Sequence, residues 1–175
     1  MYKKNNRNKI IIISLLSIIG IGVSVLLKKF ELDIKMFLPL EIFIVLAACF
    51  VPAKIVAIYA IVASLIASLV FQAPEFFNDG LFLMFQCLAG AVTVSILYRT
   101  IELPPIISLL FGIMAGRLTI CIVAFLMALL AGFDQNPISF ALQMTVIGLP
   151  GVIGQLFIVP LSIYAITKYT TLGIE

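Results

Sequence analysis

Four side chains are placed to do chemistry in a chain that is otherwise almost wholly apolar: Glu41, Gln86, Arg117 and Gln143. Each falls in a different hydrophobic run. Arg117 is the sharpest of them, the lone charged residue in the stretch 103–132. A guanidinium midway along such a stretch costs ~2.5–3.5 kcal/mol or more in a bilayer unless it faces a partner or a wet cavity. One carboxylate, one guanidinium and two amides supply both charge signs with donors and acceptors, which suits either a small polar ligand or an internal ion pair. Phe77 and Phe85 lie toward the same end of the chain's spans and add flat faces for stacking, a role left to Phe and Tyr because Trp is absent.

The same residues exclude other chemistry. The chain has no His to serve as a general base, and no GxxxxGK[ST], HExxH or GxSxG motif. Cys49, Cys87 and Cys121 sit in separate apolar runs without CxxC spacing, and read as buried thiols rather than as a disulfide or metal site. The expectation is a binding protein and no enzyme, with no catalytic residue, no metal and no cofactor.

The elements that must position these side chains follow from composition. Hydrophobic residues make up 63% and charged residues 11% of the 175, with a mean hydropathy of +1.27, which places the chain in a lipid bilayer as one integral membrane domain, 1–175. Apolar runs at 10–27, 37–51, 55–72, 81–98, 104–131 and 138–167 predict an all-α membrane protein, a six-transmembrane-helix bundle. The second run is short and contains Glu41, so it reads as the least regular crossing. The basic N-terminal segment precedes a run too long for a signal peptide and without a small-residue cleavage site before Lys28, so it reads as a retained first helix.

Charge sets the orientation. With the N-terminus inside, Lys3, Lys4, Arg7, Lys9, Lys54, Arg99 and Lys168 are cytoplasmic, while Lys28, Lys29 and Lys35 are the basic residues outside. The positive-inside rule then predicts both termini in the cytoplasm and the loop 73–80 outside. The net charge of +3 encodes orientation, and nucleic acid is not an expected partner. In this frame Glu41, Gln86 and Gln143 lie about one to two turns below the outer surface. Arg117 lies about twelve residues into its helix with a side chain long enough to reach them. Gln155, deeper, reads as inter-helix glue.

Backbone signals add detail. Pro104 and Pro105 mark the start of the fifth helix. Gly148-Leu-Pro-Gly151 predicts a bend or local unwinding near Pro150 in the last run. Small residues at four-residue spacing, including Gly20/Ser24, Ala60/Ser64/Ser68 and Gly112/Gly116, predict close helix packing.

Taken with size, the segments Phe37-Leu-Pro-Leu-Glu-Ile42, Gly112-Ile-Met-Ala-Gly-Arg-Leu118, Gly148-Leu-Pro-Gly-Val-Ile-Gly-Gln155 and Ile158-Val-Pro160 give a chain that resembles, over about residues 35–167, the S components of energy-coupling-factor transporters. The resemblance implies a six-helix subunit in a bacterial cell membrane that captures a small vitamin-like or heterocyclic micronutrient at its outer face. It further implies a membrane coupling subunit and two cytoplasmic ATPase subunits as partners. Ser17, Gly20 and Ser24 on the first helix stand where that family carries its AxxxA docking stripe. The reading from another class is a membrane scaffold or envelope-assembly subunit whose intramembrane polar residues are structural.

Overall fold

The computed structural model describes residues 3–31, 34–70, 79–131 and 136–169. Within them the chain is helical, with no strand: α1 (Lys3–Lys29), α2 (Ile34–Phe37), α3 (Pro39–Ala48), α4 (Ala53–Leu65, continued by a π-helical turn Ile66–Val70), α5 (Leu81–Arg99), α6 (Pro105–Ala131), α7 (Pro137–Ile147) and α8 (Leu149–Tyr169). Among the described residues, four stretches are long and apolar enough to cross a membrane: Ala53–Val70, Leu81–Arg99, Pro105–Leu130 and Leu149–Ile166. Their outward residues are large and apolar, as lipid contact requires, for example Leu118, Ile122 and Phe125 on α6 and Phe157 and Leu161 on α8.

The second and sixth runs depart from single straight helices. The second folds as α2 and α3, joined at Leu38, whose backbone is left-handed (φ 46°, ψ 44°). That conformation is costly for a branched side chain, and a following proline already disfavours the right-handed helical alternative. The ten-residue α3 is about 15 Å long, half of a ~30 Å hydrocarbon core. Nine of its residues, from Pro39 to Ala48 with Phe43 the exception, are buried. Apart from Glu41 it is apolar on every side, so it serves as the centre of the bundle, packed by α1, α4, α5 and α8.

The sixth run breaks at Gly148 into α7 and α8. Pro150 has no N–H to bond back to Val146 and its ring crowds that carbonyl, so the helix ends just before it and restarts with Pro150 in the first turn. Pro160, inside α8, does not interrupt it. Asn136 starts α7, its side chain accepting from Ile138 N at 3.0 Å and Ser139 N at 3.4 Å, with Pro137 in the first position. The start of α6 at Pro105 agrees with the proline signal.

The two joints pack on each other. A methyl group at Gly151 would lie 2.8 Å from the carbonyl carbon and oxygen of Phe37 and 2.9 Å from Met36 O. Only glycine lets α8 approach the α2 backbone that closely. The α5–α6 pair is equally tight: a methyl at Gly112 would meet Gly90 O at 3.0 Å, and one at Gly116 would meet Gln86 Cγ at 3.1 Å and Gln86 O at 3.2 Å. Gly112/Gly116 is thus an internal packing stripe, and it sets Gln86 level with the residue after Gly116, which is Arg117.

Candidate functional site

Two helix joints and one glycine-mediated crossing bring three of the expected polar residues together. From α3, Glu41 projects into the protein interior and is 2% exposed. Gln86 of α5, 3% exposed, donates from Nε2 to Glu41 Oε2 at 2.5 Å. From α6, Arg117 donates from Nη1 to Met144 O at 3.3 Å. This carbonyl belongs to the last turn of α7 and also accepts Gly148 N at 3.2 Å. A guanidinium there is well placed, because the unsatisfied carbonyls of a helix C-terminus carry partial negative charge.

The other terminal nitrogen of Arg117, Nη2, is buried and has no hydrogen-bond partner. It rests against Gly148, where a methyl would approach it to 2.7 Å. The missing side chain at the α7–α8 break therefore makes the space that the guanidinium occupies. Glu41 does not engage Nη2, so Arg117 and Glu41 form no hydrogen-bonded ion pair; Gln86 holds the carboxyl group instead.

Arg117 and Gln86 face a cavity lined also by Leu38, Pro39, Leu40, Asp79, Phe82, Leu83, Ile120 and Met144. Its volume is about 30 Å³, room for about two waters. Ligand pockets for drug-sized molecules run to several hundred Å³, so a heterocycle requires the walls to move.

The remaining expected residues are placed differently. Gln143 is exposed on α7 and does not line the cavity. The phase of α7 explains this: Phe140, Met144 and Gly148, four residues apart, form the inward stripe, and Gln143 points away from it. Phe85 is partly buried against the cluster of Phe82, Ile120, Val123, Ala124 and Phe140. The aromatic ring on the cavity is instead that of Phe82, tilted at 50° to Phe140 with the ring centroids 4.6 Å apart. Phe77 lies outside the described residues.

On α1, Ser24 is fully buried and donates to Gly20 O at 2.9 Å. A methyl at Gly20 would lie 3.1 Å from Phe43 of α3. Gly20 and Ser24 therefore face α3, and a partner subunit would have to use another face of α1; Ser17 is half-buried. Among the described residues no group of three or more His, Cys, Asp or Glu could hold a metal ion.

Sequence reading missed Asp79, Met144 and the Leu38–Pro39 joint as cavity residues. The Phe140/Met144/Gly148 stripe was a usable signal. Nothing in the sequence signals that a main-chain carbonyl, Met144 O, anchors Arg117. No protein-family model, curated protein or solved structure matches the chain.

Proposed function

We propose that this chain is the substrate-capturing membrane subunit of an uptake system, and that it binds a small micronutrient without transforming it. The observation that carries the reading is the buried Nη2 of Arg117, held beside a cavity and left without a hydrogen-bond partner. A structural arginine in lipid would be expected to have its donors satisfied, because each unsatisfied one costs free energy. A donor kept waiting beside a cavity suits a ligand that completes it.

On this reading the chain makes six passages through a bacterial cell membrane with both termini cytoplasmic. The α2–α3 pair provides the second passage and α8 the last. A membrane coupling subunit and two cytoplasmic ATPase subunits supply the energy, since the sequence has no nucleotide loop. The ligand gains access when the cavity beside Arg117 widens. Discontinuous helices at a binding site are a common means of making such a cavity in transporters.

Mass spectrometry of small molecules released from the purified chain, with thermal stabilisation by a panel of vitamins and nucleobases, tests the reading. A retained or stabilising compound is expected. Orientation is tested separately by a cysteine at Asn78 in a background without Cys49, Cys87 and Cys121; labelling from outside intact cells is expected, and none in a folded variant overturns the topology.

The cavity's size of about 30 Å³ favours the second reading, a membrane scaffold with structural polar residues. Ligand-independent melting across the whole panel, with nothing released on denaturation, would decide for it.

A further inference from the structure

We infer that the molecule bound at this site is a small organic carboxylate with an apolar body, its carboxylate seated on Nη2 of Arg117; the inference rests on the capture reading above.

Charge is the first argument. Nη1 is committed to Met144 O, and the other terminal nitrogen of this cavity-lining residue, Nη2, is enclosed without a partner. The two acids nearby do not supply one. Glu41 is 2% exposed and is not a cavity-lining residue; it lies behind Gln86, whose Nε2 it binds. Asp79 lines the cavity but has an interaction of its own. The unfilled group is a guanidinium N–H, and hydrogen bonds between guanidinium and carboxylate are about twice as strong as neutral ones.

Position is the second. Gly148, whose missing side chain leaves room for Nη2, immediately precedes α8. The start of α8 and the carbonyl end of α7 that holds Nη1 meet at this joint and offset one another, so the positive charge at the cavity wall is that of Arg117 itself. A cationic ligand group would meet repulsion from Arg117.

Shape is the third. Apart from Asp79, Gln86 and Arg117, the lining is Leu38, Pro39, Leu40, Phe82, Leu83, Ile120 and Met144. These walls gain by burying hydrocarbon and give a second charged group of the ligand no open partner.

The test uses the purified full-length chain in detergent with three probes of one shape: benzoate, benzamide and benzylamine. Benzoate is expected to raise the melting midpoint with a dissociation constant at least about tenfold lower than either of the others. Arg117→Met is expected to weaken benzoate by about 10- to 100-fold, Arg117→Lys by less, and Gln143→Ala, outside the cavity, not at all. Gly148→Ala displaces the guanidinium and is expected to weaken benzoate while leaving benzamide unchanged, which keeps the inference testable if Arg117→Met does not fold.

Benzamide or benzylamine binding as well as benzoate overturns the carboxylate assignment and leaves the capture reading in place. If none of the probes binds, the molecule released from the purified chain decides. An organic acid supports the assignment, and a compound without an acidic group overturns it. With no probe bound and nothing released, the capture reading itself fails and takes the inference with it.

Discussion

The bond from Gln86 to Glu41 makes a quantitative prediction, because both side chains are almost completely enclosed, at 3% and 2% exposure. Methionine is the chosen replacement at each position. It is unbranched and close in volume, so it preserves the Gln86 Cγ methylene beside which Gly116 packs. Gln86→Met leaves the Glu41 carboxyl group without its hydrogen-bond donor and is expected to cost about 2–3 kcal/mol. Glu41→Met leaves the Gln86 amide donor unsatisfied and is expected to cost about 1–3 kcal/mol.

Replacing both partners removes both unsatisfied groups, and such paired apolar substitutions are close to neutral. The double variant is therefore expected to be more stable than the sum of the single losses by about 3–6 kcal/mol. Denaturant titration of the four proteins in detergent, followed by far-UV circular dichroism, reads these differences. Additivity within about 0.5 kcal/mol would falsify the bond as a source of stability.

Gly151→Ala is expected to destabilise the fold by about 2 kcal/mol or more, because the methyl meets main-chain atoms of Met36 and Phe37 that cannot rotate away. Its control is Gly22→Ala, where nothing lies within 4 Å and the better helix former is expected to add about 0.5–1 kcal/mol; both are read in the same titration, and a harmless alanine at Gly151 refutes the close approach of the two joints. At the start of α7, Asn136→Ala is expected to lose about 1 kcal/mol while Asn136→Asp retains the cap. Equal melting of the three proteins would show that the cap contributes nothing.

What could be read from residues alone was what depends on local chemistry. The lipid-facing composition, the apolar runs, the start of α6 at Pro105 and the interruption before Pro150 follow from hydropathy and from proline's missing donor. The special standing of Arg117, Glu41 and Gln86 was legible too, because polar groups in hydrocarbon must be accommodated and are few enough to single out. Gly112 and Gly116 announced a close crossing, though not which helix fills it.

Partners, phase and closure were decided by the tertiary structure. Glu41 and Arg117, opposite in charge, invite pairing on paper, but the α5–α6 crossing inserts Gln86, and it is Gln86 that binds the carboxyl group. Gln143 and Met144 are adjacent in sequence and about 100° apart around α7, so the docking of α7 on α6 selects Met144 and turns the amide outward. Gly20 and Ser24 could have met a separate subunit, until α3 folded into the centre and Phe43 took that groove. Sequence patterns record the free energy of local geometry and of leaving water. Which faces meet is set by competition among contacts between distant segments, and those exist only once the chain has closed on itself.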